Sequence, residues 1–138
     1  MAVNLRKPKK VKKSLAKKKA WNAFSLWVRQ SNADRNGMVK CYTCRTRAHW
    51  KEMDAGHGIG GRNNAVLFMK EVVKPQCKAC NIFARGRYRV FTLNLIKELG
   101  VKEYEKLIKR SNELFQYKIV DFQEIENLYK ERVIKELE

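Results

Sequence analysis

The sequence of 138 residues lacks any apolar run long enough to cross a membrane, since no stretch approaches about 20 apolar residues. It also lacks early acidic residues, because positions 1–20 contain nine Lys or Arg and no Asp or Glu. The first residues turn basic without the apolar core of a secretory signal peptide. We therefore expect a cytoplasmic protein without a membrane partner.

Positive charge dominates the chain, with 31 Lys and Arg against 14 Asp and Glu and a formal net charge of +17. Residues 101–138 are nearly neutral, so the excess lies in the first hundred residues. Such a field favours nucleic acid, because Lys and Arg that neutralise phosphates release condensed counterions. An anionic membrane surface fits less well, since the basic N-terminal segment has no apolar face. A charged surface kept for solubility is the remaining alternative.

The four cysteines form two matched knuckles, Cys41-Tyr-Thr-Cys44 and Cys77-Lys-Ala-Cys80. Each C-x2-C pair offers two thiolates to one metal, so together the pairs complete a tetrahedral site for a structural Zn²⁺. The 32 residues between Cys44 and Cys77 leave room for a β-hairpin held at its base by the metal. A disulfide framework would need an oxidising compartment. A redox pair is a further alternative, but two pairs at this distance fit a metal better.

The hydrophobic pattern predicts an α+β fold of one domain, with a small metal module between helical segments. Residues 1–13 should form a disordered basic arm, and residues 14–37 should form a helix, capped by Ser14, and a polar linker. Residues 38–90 should hold the metal module, and residues 91–138 should add helices. Because this last segment is near neutral, its helices should serve packing or formation of a homodimer rather than DNA contact.

Within the metal module, short strands are predicted at Val39 to Tyr42, at Trp50 to Asp54 and, as the returning strand, at Ala65 to Met69. The second knuckle should open a helix through Phe83. Further helices are predicted from Tyr88 to Leu99, from Val101 to about Phe115, and from a capping box at Asp121 to Leu137.

Three polar residues near the knuckles suit phosphodiester hydrolysis. His57 can act as a general base, since imidazole has an unperturbed pKa of about 6.5. Asp54 and Asn81 supply the hard oxygen ligands that suit Mg²⁺ (or Mn²⁺), which would stabilise charge on the phosphate and the leaving oxygen. Residues three apart on a regular strand point to opposite faces, so Asp54 should need a turn at Ala55-Gly56 to join His57. The alternatives are an exposed loop histidine, a surface acid and a helix-local amide.

Basic side chains complete the set of candidate site residues. Arg62, Arg85 and Arg87 can bind phosphates through bidentate guanidinium contacts, and solvated side chains are the alternative. In the N-terminal arm, the candidates for DNA binding are Lys9, Lys10, Lys12 and Lys13. His49, by contrast, is expected to be structural or exposed.

Several stretches of this sequence resemble the phage NinG/Rap recombination nucleases. They are Lys19 to Ser25, the first knuckle, Asp54-Ala-Gly-His57, Gly61 to Ala65, and Pro75 to Asn81. That family is part of the zinc-stapled HNH, or ββα-metal, class, which includes recombination endonuclease VII. The resemblance runs from about Leu15 to Leu107.

This resemblance implies a ββα-metal module in which the four cysteines bind zinc, His57 is the general base and Asn81 is a metal ligand. It also implies cleavage of branched or otherwise structured DNA during phage recombination in the cytoplasm of a bacterial host. The leading hypothesis is therefore a metal-dependent DNA endonuclease of the HNH class. The alternatives are a non-catalytic zinc protein that binds or shapes DNA, and an RNA-binding zinc protein with a basic arm.

Overall fold

The computed structural model describes residues 11–59 and 64–136. Its helices and strands are, in chain order, α1 (Lys13–Ser31), β1 (Met38–Lys40), β2 (Arg47–His49), β3 (Met53–His57), β4 (Val73–Cys77), α2 (Tyr88–Leu99), α3 (Val101–Ser111) and α4 (Ile119–Glu136). Short 3₁₀ turns span Trp50–Glu52 and Asn64–Val66, and a π-helical turn spans Ala79–Phe83. These elements confirm the predicted α+β class.

The strands of the described residues form two antiparallel pairs, β1 with β2 and β3 with β4. The first knuckle connects β1 to β2, and the second begins at Cys77, which ends β4 opposite Met53 of β3. The Tyr42 backbone N–H donates to the Pro75 carbonyl (2.9 Å) and so joins the first knuckle to β4. The two pairs of strands therefore meet at the cysteines.

α1 packs against α4 through aromatic and small side chains. Phe24 is fully buried, and its ring centroid lies 4.8 Å from that of Tyr129 on α4. Phe122 on the same helix packs against Ala16 and Ala20 of α1. Residues of α1, β3 and β4 share this core, among them Ala23, Val28, Ala55 and Val73. α1 thus packs against both the C-terminal helix α4 and the β3–β4 pair.

The returning strand does not lie where the sequence predicts it. The stretch from Ala65 to Met69 begins within a 3₁₀ turn, and Ala65, Val66 and Leu67 are all buried. Three consecutive buried residues do not alternate as a half-buried strand would, and an apolar run alone does not identify a strand. The strand that pairs with β3 is instead Val73–Cys77.

Two further predictions for the metal module are only partly correct. The predicted strand at Trp50 begins with the 3₁₀ turn, where the His49 Nδ1 accepts a hydrogen bond from the Lys51 N–H (3.2 Å), so β3 starts at Met53. A strand at Arg47–His49 was not predicted. The helix through Phe83 is a single π-helical turn.

The helix starts also differ from the predictions. α1 begins at Lys13, so Ser14 lies inside the helix, and the capping residue Lys12 makes no side-chain hydrogen bond. α4 begins at Ile119, and Asp121 acts from inside the first turn, where its Oδ2 accepts a hydrogen bond from the Lys118 N–H (2.7 Å). α3 ends at Ser111, earlier than predicted. Across the described ranges, we find no helix with both the length and the apolarity to cross a bilayer.

Candidate functional site

The four cysteine side chains meet in one cluster. Cys41 and Cys44 flank the turn between β1 and β2, whereas Cys77 ends β4 and Cys80 lies in the π-helical turn. Their Sγ atoms all lie within 4.8 Å of one another, with Cys44 and Cys77 Sγ 3.6 Å apart and no disulfide formed. Zn–S bonds of about 2.3 Å in a tetrahedron place the sulfurs roughly 3.8 Å apart. The donor set therefore fits a structural zinc ion.

The four thiols differ in how easily they ionise. Burial opposes ionisation of Cys41, yet hydrogen bonds from the Thr43 hydroxyl and from backbone N–H groups outweigh it and lower the pKa of Cys41 to about 6. Burial raises the pKa of Cys77 to about 12 and also raises the pKa of Cys80. Because thiols must be deprotonated to bind a metal, zinc binding at this cluster should release protons.

A cavity of about 440 Å³ lies beside the second knuckle. Its lining includes all three residues that the sequence analysis selects for catalysis, His57, Asp54 and Asn81. β3 contributes four residues to the lining and β4 none, so the cavity lies on the side of β3 away from β4. The structure therefore brings these three side chains to one place.

Asp54 is the centre of the polar contacts in this cavity. Lys78 Nζ donates to its Oδ1 and Asn81 Nδ2 donates to its Oδ2, each at 3.1 Å. Because Asn81 donates through its nitrogen, its carbonyl oxygen remains an acceptor. Carboxylate and amide oxygens are suitable ligands for Mg²⁺ or Mn²⁺, so Asp54 and Asn81 fit such an ion by their chemistry.

The expected turn between Asp54 and His57 is absent. β3 runs without interruption from Met53 to His57, with Asp54 opposite Gln76 and His57 opposite Val73. The two side chains therefore leave the strand on opposite faces, as strand geometry requires. Both nevertheless line the cavity, together with Met53 and Ala55 of the same strand.

His57 stacks on Trp21 of α1. The two ring centroids lie 4.7 Å apart with planes inclined by 21°. The tryptophan ring therefore restricts the plane of the imidazole, and Trp21 lines the cavity as well as packing against the core.

Arg29 provides a positive charge on the α1 side of the cavity. Its Nε donates to the Ser25 carbonyl (3.2 Å) and its Nη1 to the Trp50 carbonyl (3.3 Å), which fix the guanidinium. Burial lowers the pKa of Arg29, whereas the charge of Asp54 raises it. A guanidinium held in this way remains charged, because its unperturbed pKa is far above neutrality.

Gly56 packs directly against a buried glutamine. A Cβ added at Gly56 would overlap Gln76 Oε1. Gln76 is fully buried, and its Nε2 donates to the Thr43 hydroxyl (3.0 Å) and to the Gly86 carbonyl (2.8 Å). Gln76 thus contacts β3, the first knuckle and the turn at Arg85-Gly86-Arg87.

The candidate DNA-binding residues are only partly described. Arg85 and Arg87 are exposed and lie on either side of Gly86, and all three have positive φ angles of 52°, 91° and 46° in chain order. Lys12 and Lys13 are exposed at the start of α1. Lys9, Lys10 and Arg62 lie outside the described residues.

The sequence analysis missed several residues of the cavity. Trp21, Ser25 and Arg29 lie four residues apart, so they form one row along α1. This spacing was visible in the sequence, but it did not show which row faces β3. Lys78 and Tyr88 also line the cavity, and no local pattern distinguished Lys78 from the other exposed lysines.

The fold and the cysteine cluster define an α+β protein with a four-cysteine metal site. The chain matches the family described as bacteriophage lambda NinG protein over residues 2–138 and therefore belongs to that family. Membership points to a recombination-related role in a bacteriophage. No curated protein and no solved structure shows significant similarity to the chain.

Proposed function

We propose that this protein is a metal-dependent DNA endonuclease of the HNH class that hydrolyses phosphodiester bonds in branched or structured DNA during phage recombination. The observation that carries this proposal is the single cavity lined by His57, Asp54 and Asn81. The β3–β4 pair followed by the π-helical turn supports a ββα-metal arrangement, with the cysteine cluster at its base.

His57 is the proposed general base. An imidazole can accept a proton from water near neutral pH and so activate that water for attack on a phosphodiester. The stack on Trp21 holds the ring in one plane, so the direction of its nitrogen atoms is fixed before the substrate arrives. Trp21 is therefore a positioning residue.

Asp54 and Asn81 are the proposed ligands of the catalytic ion. When bound, Mg²⁺ or Mn²⁺ supplies stabilisation of charge on the phosphate and the leaving oxygen. Arg29 and Lys78 add fixed positive charge next to Asp54, which favours entry of a phosphate group into the cavity.

A specific contact favours the alternative function, a non-catalytic zinc protein that binds or shapes DNA. Both carboxylate oxygens of Asp54 accept hydrogen bonds, one from Lys78 and one from Asn81. A carboxylate held in this way is satisfied without a metal ion. Under this alternative, the cavity would bind phosphate but perform no hydrolysis.

A cleavage and binding assay distinguishes the two functions. The purified protein is incubated with a four-way DNA junction and, separately, with a duplex of the same sequence. Mg²⁺ should be omitted from one reaction rather than chelated, so that the zinc site stays loaded. Cleavage of the junction only with Mg²⁺ or Mn²⁺ supports the endonuclease. Tight binding with no cleavage across a titration of both ions would establish the alternative.

Asn81→Ala should reduce cleavage by at least about tenfold at limiting Mg²⁺, because the loss of an oxygen ligand weakens the bound ion. Higher Mg²⁺ should restore part of the rate. The measurement is the rate of junction cleavage across a Mg²⁺ titration. Asn112→Ala is the matched control, because that amide bonds the Ile108 carbonyl at the end of α3 (3.2 Å). An unchanged Mg²⁺ dependence in Asn81→Ala would remove Asn81 from the ion site.

DNA affinity should fall steeply with salt, because Lys and Arg release counterions from the phosphates. Removal of residues 2–11, which contain Arg6, Lys7, Lys9 and Lys10, should reduce the slope of log affinity against log salt by up to about 3 to 4. Lys12 and α1 remain in this variant. The measurement is a salt titration of binding to duplex and junction.

The matched control removes four positive charges from the near-neutral C-terminal helices, at Lys102, Lys106, Lys130 and Lys135, each changed to Gln. We expect this variant to retain the wild-type slope. Salt-independent affinity of the wild type would exclude phosphate neutralisation as the main source of binding.

The near-neutral helices remain the proposed surface for a homodimer. Ile119, Phe122, Ile125 and Tyr129 of α4 pack into the core clusters that include α1, whereas Val120, Leu128 and Ile134 are exposed. A second copy of the chain would have to use these exposed side chains, because the other face of α4 is already covered.

A further inference from the structure

The π-helical turn ends in two exposed apolar side chains. Ile82 is 57% exposed and Phe83 is 83% exposed, the highest value among the six phenylalanines. Phe24, Phe91 and Phe122, by contrast, are fully or nearly fully buried. Exposed apolar side chains are unfavourable in water, so two adjacent ones are candidates for contact with a partner.

The charge around these two side chains indicates the chemistry of that partner. Residues 72–97 contain six Lys or Arg and no acidic residue. Arg85, Arg87 and Arg89, which follow Phe83 within six positions, are all exposed. The surface therefore combines an apolar tip with a cluster of guanidinium groups, which is the combination that binds the bases and phosphates of unpaired nucleic acid.

The backbone presents this surface in a defined way. Arg85 and Arg87 both have positive φ angles, which are uncommon for residues with a Cβ. The hydrogen bond from Gln76 Nε2 to the Gly86 carbonyl holds the turn against β4. A buried side chain thus fixes the direction in which the arginines leave the turn.

In the sequence, Ile82 and Phe83 also stand between residues that line the candidate catalytic cavity. Asn81, which lines the cavity, directly precedes Ile82, and Tyr88 lines the same cavity after the arginine turn. The apolar pair and the arginine turn therefore lie in the chain between two residues of the cavity lining.

We propose that Ile82 and Phe83 form an apolar wedge that stacks on the unpaired or unstacked bases at a DNA branch, while Arg85, Arg87 and Arg89 bind the flanking phosphates. Inside a continuous duplex both faces of each base pair are stacked, whereas bases at a branch point can be unstacked and offer a free face. The wedge thus supplies selectivity for branched DNA. This inference rests on the proposed DNA binding, but not on cleavage.

The test is binding of Phe83→Ala to a DNA fork with a 2-aminopurine base at the branch point, and to a duplex of the same sequence, without added Mg²⁺. We expect a roughly 5-fold to 100-fold loss of affinity for the fork and less than about 2-fold for the duplex. The change in 2-aminopurine fluorescence on binding should also decrease. Phe83→Trp retains a stacking ring and should retain wild-type affinity.

Leu114→Ala is the matched control, because Leu114 is fully exposed (102%) in the connection between α3 and α4. It should leave both affinities unchanged. Equal affinity of Phe83→Ala and wild type for the fork would overturn the wedge and make the tip a contact for another protein. An equal loss on fork and duplex would also overturn it. A wild type that binds neither DNA would instead refute the proposed function itself.

Discussion

His57→Ala is expected to reduce cleavage of branched DNA by about 10²-fold to 10⁴-fold, which is the usual contribution of a general base. DNA affinity should remain nearly unchanged, because a base acts on the transition state more than on bound substrate. The variant should also remain folded, since His57 lies at the end of β3 rather than inside the core. The measurements are the single-turnover cleavage rate and the dissociation constant for the junction without Mg²⁺.

His49→Ala is the matched control, because it removes the chain's other histidine from the end of β2. Its Nδ1 accepts a local backbone hydrogen bond from Lys51, and it does not line the cavity that contains His57. We expect cleavage within a few-fold of the wild type. If His57→Ala cleaves the junction at the wild-type rate, the proposed nuclease mechanism is wrong, whatever the role of the cysteine cluster.

Cys44→Ser is expected to abolish stoichiometric zinc binding and to cause the largest loss of stability of any single substitution discussed. Structural zinc contributes apparent binding free energies of about 10–16 kcal/mol in small zinc domains, and loss of one of four ligands removes much of this. Cys44 is exposed, so its substitution opens no cavity in the core. The measurements are elemental zinc content and the thermal unfolding temperature.

Cys44→His provides the matched control at the same position, because a Cys₃His set is also a common structural zinc site. It should recover more zinc and more thermal stability than Cys44→Ser does. Natively purified wild-type protein with no zinc, or Cys44→Ser with the wild-type unfolding temperature, would contradict a structural role for the metal.

The zinc site was predictable because its signal is local. Each knuckle places two cysteines three positions apart. The two knuckles can meet as long as the segment between them folds back. The position of that return was not predictable. The apolar stretch at Ala65 suggested a strand, whereas Val73–Cys77 contains Pro75 and polar residues that weaken a strand prediction. The burial of the strand Val73–Cys77 depends on contacts with distant parts of the chain, such as the contacts that Gln76 makes.

His57, Asp54 and Asn81, the candidates chosen from the sequence, line one cavity, but the residues around them were not predictable from the sequence. Trp21 reaches His57 only because α1 crosses β3 at a particular angle, which follows from packing and not from the sequence of either element. The contact between Lys78 and Asp54 likewise depends on how the π-helical turn lies over β3. The sequence periodicity indicates which residues share a face, but not which other element that face contacts.

The contact between Gly56 and Gln76 limits how this protein can be redesigned. A carboxylate introduced at position 56, directly before His57, would start from a residue that does not line the cavity. That side chain would have to displace Gln76, and the hydrogen bond to the Gly86 carbonyl would be lost with it. A substitution intended to add an ion ligand would thus loosen the turn that contains Arg85 and Arg87, so under the proposed function it would change ion binding and phosphate binding together.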